Sequence, residues 1–368
     1  MDSIPQELVD AIIDNVPESS LLSCSLVAKR WRRKSQQRAL DNISFLSEGE
    51  VNRWCTYIPQ DSDGISSYVC HVRIEAISSW AEPALLSRML GSLSSLTTLS
   101  LYATEIPDEL PGRISRGEFG NGITVLCLRF SHYTFATMTS MILSLPNLKE
   151  LCVEYCEVTP EGPFPTHSVT PQREPLNSLE LHGCWGGIGE ALAKSRLTSS
   201  RLSLGVGITG ITQLLLVSSE TVVELELRGA WFSRSPDRAE TIVSDLPDAF
   251  ADEIPSPIHL PSLPALTTLV IDLYVSDPFP RLTNVLCSIG SAPALTSIVI
   301  DHSNWESIEG LFLEGSWVDL DRWLSQIAKH AEITGGLPLT LRPWPRGKPV
   351  WEGFLPKFRE SGEIKVEH

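Results

Sequence analysis

The sequence predicts an α/β chain: a small all-helical module, then a long stack of strand, turn and helix units whose strands form a parallel sheet. Three observations predict this. A short template, Φ-x-x-L-x-Φ with Φ apolar, recurs eight times between residues 69 and 300. Helix-like runs fall between the copies. The first forty residues lack the template and carry apolar side chains at helical spacing instead. The 368 residues exceed one ordinary compact domain, and a stacked array accommodates such a length. The expected layout is a helical module over 1–45, a linker over 46–65, a repeat array over 66–345 with a proline-rich insertion at 229–264, and a C-terminal cap and tail over 346–368.

The N-terminal elements follow from spacing. Leu8, Ile12 and Val16 fall four apart and mark one stripe of a helix that Ser3 and Pro5 start and Pro17 stops. Ser19 and Ser20 offer an N-cap for a second helical run from Leu21 to Ala39, with Leu22, Leu26, Val27 and Trp31 as its apolar residues and a basic end from Lys29 to Arg38. Forty residues in two or three helices can scarcely bury a core alone. The module therefore needs a partner or a neighbour to dock on.

The repeat template reads Val69-Val72-Ile74, Leu96-Leu99-Leu101, Ile123-Leu126-Leu128, Leu148-Leu151-Val153, Leu176-Leu179-Leu181, Val222-Leu225-Leu227, Leu266-Leu269-Ile271 and Leu295-Ile298-Ile300. Weaker copies lie at Leu202-Leu204 and Leu339-Leu341. A period in the mid-twenties around an L-x-L strand is the pattern of a leucine-rich solenoid, a horseshoe with a parallel sheet. Helices are expected at 84–93, 135–145, 188–193, 211–217, 239–250, 281–289 and 320–331. The 26 prolines serve as breaks between short elements.

The N-terminal motif can then be compared with a known family. Ile4-Pro5-Gln6-Glu7-Leu8-Val9, Ile12-Ile13, Leu21-Leu22 and Ser25-Leu26-Val27-Ala28-Lys29-Arg30-Trp31-Arg32 resemble the F-box. An F-box followed by degenerate leucine-rich repeats is similar to the F-box/LRR families abundant in fungi. The resemblance implies a non-catalytic substrate receptor of a Skp–cullin–F-box ubiquitin ligase, with a ligase-independent F-box/LRR scaffold as the alternative. It implies that Pro5, Leu8, Ile12, Ile13, Leu22, Leu26, Val27 and Trp31 face a Skp-type adaptor, and through it a cullin. The receptor needs no nucleophile, metal or cofactor, and the sequence carries no phosphate-cradling loop, metalloprotease motif or nucleophile elbow.

In a parallel solenoid strand, side chains between and just after the leucines face the open side of the sheet. The target-binding residues expected there and at the aromatic rim beyond are Tyr102, Arg129, Glu154, Tyr155, His182, Trp185, Arg228, Trp231, Asp272, Tyr274, Asp301 and Trp305. Neighbouring Cys127 and Cys152 read as small spacers rather than a disulfide, and Cys152 and Cys156 as buried thiols rather than a metal pair. The net charge of −16 argues against a nucleic-acid or membrane-surface ligand. Residues 239–321 hold thirteen acidic groups against Arg281 alone, which either steer a basic protein target or keep an apolar array soluble. With five acids in residues 1–18 no secretory leader is expected, so the cysteines should be reduced thiols of the cytoplasm or nucleus.

Overall fold

A computed structural model describes residues 4–57, 64–77, 79–159, 174–205, 210–228, 262–272, 292, 294–301, 318, 321–322, 324–325, 337–342, 357, 360 and 362–366. The chain divides into two compact units, Met1–His167 and Ser168–His368.

The first unit opens with α1 (Gln6–Asp14), α2 (Glu18–Val27) and α3 (Lys29–Leu40). The second helical run is thus two helices rather than one, because Ala28 breaks it with an extended backbone, φ −157° and ψ 156°. Val9, Ile13 and Leu21 form the buried centre of the bundle, with Ile4, Val16, Trp31 and Ala39 packed around it. The basic end of α3 closes this small core. Arg38 donates to the carbonyls of Ile13 and Val16 at the C-terminus of α1, where a cation suits the helix dipole. Lys34 pairs with Asp14 at 3.1 Å.

The bundle passes straight into the sheet. Strand β1 (Asn42–Phe45) pairs in parallel with β2 (His71–Glu75), Ile43 opposite Val72 and Phe45 opposite Ile74. Residues 46–65, expected as a linker, instead carry α4 (Glu48–Tyr57). Its Glu48 carboxylate accepts from the backbone N–H groups of Ala81 and Glu82 at 3.1 and 2.9 Å. A 3-10 turn, Ile65–Tyr68, leads into β2. Then follow α5 (Ala84–Gly91), β3 (Thr98–Tyr102), α6 (Glu109–Ser115), β4 (Val125–Arg129), β5 (His132–Thr134), α7 (Phe135–Ser144), β6 (Glu150–Glu154) and β7 (Glu157–Thr159). Strands β1, β2, β3, β4 and β6 are parallel neighbours in that order. The short strands β5 and β7 pair beside them.

The template positions coincide from strand to strand. Val72, Leu99, Leu126 and Leu151 lie in one row, and Ile74, Leu101, Leu128 and Val153 in the next. Both rows are buried, and each such side chain contributes about 1.5–3 kcal/mol. The residue just after β2, β3, β4 and β6 is left-handed: Ala76, Ala103, Phe130 and Tyr155 have φ of 58°, 47°, 54° and 52°. The N–H groups of the first three prolong the ladder, Ala76 donating to the Tyr102 carbonyl at 2.8 Å, Ala103 to that of Arg129 at 2.8 Å and Phe130 to that of Glu154 at 3.0 Å. A left-handed residue with a side chain costs about 1–2 kcal/mol, so the ladder must outweigh that cost at every repeat.

The second unit contains β8 (Leu176–His182), β9 (Trp185–Gly186), α8 (Ile188–Lys194), β10 (Ser199–Gly205), α9 (Ile211–Ser218), β11 (Glu224–Arg228), β12 (Thr268–Asp272), β13 (Ser297–Asp301), β14 (Leu337–Arg342) and β15 (Gly362–Val366). All but β9 form a parallel run in which Leu179, Leu202, Leu225, Leu269, Ile298 and Leu339 share one row. Strand β15 lies in the segment expected as cap and tail and pairs with β14, Leu339 opposite Ile364. The threonine after the first template position recurs as a staple. Thr267 and Thr296 each donate N–H and hydroxyl to one carbonyl of the preceding repeat, as Thr97 and Thr124 do in the first unit. The expected helices at 239–250 and 281–289 and the insertion up to residue 261 lie outside the described residues, as does most of 320–331.

Candidate functional site

The two N-terminal helices are apolar on two sides. In α1, Val9 and Ile13 point into the bundle, while Leu8 and Ile12, one residue earlier in each turn, are exposed. In α2, Leu21 and Ser25 point inward and Leu22 and Leu26 outward. Leu8 is 56% exposed, Ile12 45%, Leu22 62%, Leu26 81% and Val27 58%. These five lie within twenty residues of sequence, although thirteen large hydrophobic side chains in all are exposed among the described residues. A side chain such as Leu26 left in water forfeits the burial that most leucines obtain, and such a concentration marks a docking surface.

Of the eight residues expected to face an adaptor, six are outward: Pro5, Leu8, Ile12, Leu22, Leu26 and Val27. Ile13 is a correction. It is fully buried, because it follows Val9 by one turn on the inner face. Trp31 is also corrected in part, since it is half-buried against the bundle core.

The expected target-binding residues divide between the two units. In the first, Tyr102 and Tyr155 form a ladder with Phe130, which lies outside the expected set. The ring centroids of Tyr102 and Phe130 are 4.8 Å apart, and Phe130 stacks on Tyr155 at 4.7 Å with planes 21° apart. The Arg73 guanidinium lies 5.3 Å from the Tyr102 ring centre. Phe130 is 46% exposed; it joins the ladder because its left-handed backbone turns the ring beside its neighbours. Beneath the ladder, Arg129 Nη2 donates to Glu154 Oε1 at 3.2 Å, and Nε lies 3.1 Å from Oε2.

In the second unit the polar residues are enclosed. His182 is 3% exposed and Asp272 8%, so neither presents an open binding group; this corrects the expectation for both. Ser203 Oγ donates to Glu226 Oε2 at 2.7 Å and lies 3.3 Å from His182 Nε2. Its proton is committed to the carboxylate, so the imidazole contact has Nε2–H donating to Oγ. That is the reverse of a nucleophile–base pair. Arg228 Nε donates to Glu226 Oε1 at 3.0 Å and lies 3.8 Å from Asp272 Oδ2. Burial, with Arg228 adding to it, lowers the His182 pKa to about 4. Burial also acts to raise the Glu226 carboxyl, but hydrogen bonds from Ser203 and Arg228 outweigh it and hold the group below its ordinary range. Trp185 and Asp301 are half-buried. Trp231, Tyr274 and Trp305 lie outside the described residues.

Ser203 and Glu226 complete this cluster and were not among the expected site residues. The signal was present, since both occupy the central column of the template, but polar residues on a sheet face are ordinarily solvated. Cys156 is fully buried, whereas Cys152, expected as a buried thiol, is half-exposed on the sheet face. No helix among the described residues is long and apolar enough to cross a membrane.

Residues 1–41 match the F-box domain family, a span that contains the three helices and the five exposed apolar side chains. F-box domains bind Skp-type adaptors and point to substrate recognition in ubiquitin ligases. No curated protein matches the chain.

Proposed function

We propose that this chain is the substrate-recognition subunit of a Skp–cullin–F-box ubiquitin ligase acting in the cytoplasm or nucleus. The observation that carries the reading is the outward apolar set Leu8, Ile12, Leu22, Leu26 and Val27, on helices that match the F-box. The adaptor covers this set, and Pro5 stands beside it at the start of α1. The downstream strands, read as a degenerate leucine-rich solenoid of the F-box/LRR kind, hold a protein target. The chain itself is non-catalytic and contributes position. Holding a target lysine near a ubiquitin-charged enzyme raises its effective concentration, and a bundle that runs into the sheet through β1 without a floppy spacer favours that role.

The test mixes the purified full chain with a purified Skp-type adaptor. The unaltered chain forms a complex, and Leu8→Asp with Leu26→Asp weakens it about 100-fold or more, corresponding to roughly 3 kcal/mol. The melting temperature should stay unchanged, because both side chains are exposed. An undiminished complex in the double variant would reject the docking face. Ubiquitylation of the chain itself by a ligase reconstituted with a cullin separates the ligase reading from an F-box scaffold that works outside any ligase.

A further inference from the structure

Cys127 on β4 and Cys152 on β6 are direct partners in the parallel register. Each sits between two inward template residues, Leu126 and Leu128 in one strand, Leu151 and Val153 in the other. Both thiols therefore share the outer face of the sheet, and both are half-exposed and free. Neighbouring strands lie about 4.8 Å apart, inside the Cα spacing of about 4.4–6.8 Å that a disulfide spans. The surroundings are chemically unequal. Cys152 Sγ donates to Glu154 Oε1 at 3.3 Å, and Arg129, one step along β4 from Leu128, pairs with that same carboxylate. The single S–H of Cys152 serves one acceptor at a time, and turns from the Glu154 carboxylate to contact the Cys127 sulfur when Cys127 is ionised. That contact, with Ser100 and the Arg129 guanidinium helping against burial and the Glu154 charge, brings the Cys127 thiol down to about 7. Cys152 is pushed up by its contact with Cys127, by burial and by the Glu154 charge. The first proton of the pair therefore leaves more readily than that of an ordinary thiol and the second less readily.

We propose that Cys127 and Cys152 form a peroxide-reactive dithiol, with Cys127 the attacking thiol and Cys152 the resolving one. The Cys127 thiolate attacks one oxygen of hydrogen peroxide. An S–O bond forms, the O–O bond breaks, and the departing hydroxide takes a proton to become water. Sulfur is oxidised to the sulfenic acid and peroxide is reduced. Cys152 then gives up its proton and attacks the Cys127 sulfur. The S–S bond forms as the S–O bond breaks, and the leaving hydroxide takes that proton as a second water. The inference does not depend on the ligase reading.

Cys55 and Cys70 are also half-exposed and free, but burial raises both thiols first of all. They are the internal controls. The full chain is treated with hydrogen peroxide at pH 7, quenched by alkylation and digested for mass spectrometry. The expected product is a peptide linked through Cys127 and Cys152 and released by a thiol reductant. In Cys152→Ser, dimedone should label Cys127 at least about fivefold faster than Cys55, the balance of more thiolate against its lower intrinsic nucleophilicity. In Cys127→Ser, Cys152 should label no faster than Cys55. Cys127 labelling at the rate of Cys55 would overturn the proposal. So would sulfenic Cys127 persisting in the unaltered chain without the linked peptide.

Discussion

His182 illustrates how a single side chain changes meaning once its surroundings are known. Its position after a template leucine suggested an open binding face, yet it is enclosed and neutral, with Ser203, Glu226 and Arg228 around it. Its folded pKa of about 4 lies below the ordinary value of about 6.5. As pH falls from 6.5 to 4 the unfolded chain takes up the proton first, so folded stability declines through that window, by up to about 3 kcal/mol. Glu226, depressed in the folded state, adds to the loss as pH falls further through its own folded pKa. Urea unfolding at stepped pH should show the slope, and His182→Gln should flatten its part between 6.5 and 4; an equal slope in the variant would remove His182 from the account. The same cluster changes the charge argument. Asp272 lies beside Arg228 instead of projecting toward solvent, so reversing it to lysine would disturb the cluster's packing before any target could sense the charge. Sequence could count acids and set Arg228 one strand before Asp272, but it could not show that the two side chains lie against each other.

At the scale of elements, strands were far more legible than helices. The strand signal rests on two inward side chains per repeat, and within each unit the expected strands stand in register at those positions. Strands β1 and β15 continue the pattern with Ile43-x-Phe45 and Ile364-x-Val366; the first has its leading apolar residue in Leu40, at the end of a helical run that masked it, and the second has Ser361 there. Helix α6 escaped because Pro111 and Gly112 read as breakers. Pro111 is the third residue of that helix, within the first turn, where its missing N–H leaves no helical bond unmade. In α1 the visible stripe, Leu8 and Ile12, is the outward one, and the true inner stripe, Val9 and Ile13, lies one residue later. A helix apolar on both sides cannot be oriented by periodicity, and the resemblance, which implied an adaptor-facing role for both Ile12 and Ile13, does not separate the outward one from the inward one. Repeats also pack closely enough to be tested by one methyl group. A Cβ at Gly122 would lie 2.7 Å from the Leu96 carbonyl oxygen, a backbone atom with no rotamer to adopt. Gly122→Ala should therefore destabilise the chain by about 1–3 kcal/mol, read as a lowered melting temperature; an unchanged melt would mean that the two repeats are not held at that distance.

At the scale of the whole molecule, two unlike modules depend on different physics. The repeats bury two rows of side chains and are satisfied by their neighbours. The N-terminal bundle buries Val9, Ile13 and Leu21 and leaves five comparable side chains in water. The composition foretold this imbalance, since forty residues carry more apolar side chains than they can enclose. The family match over residues 1–41 makes a Skp-type adaptor the partner expected to enclose them. Hydrogen–deuterium exchange on the full chain, with and without a saturating Skp-type adaptor, tests this claim most directly. The account predicts new protection in the peptides covering residues 5–31, with the strand peptides of β2, β3 and β4 unchanged. Protection on those strands with none across α1 and α2 would contradict it.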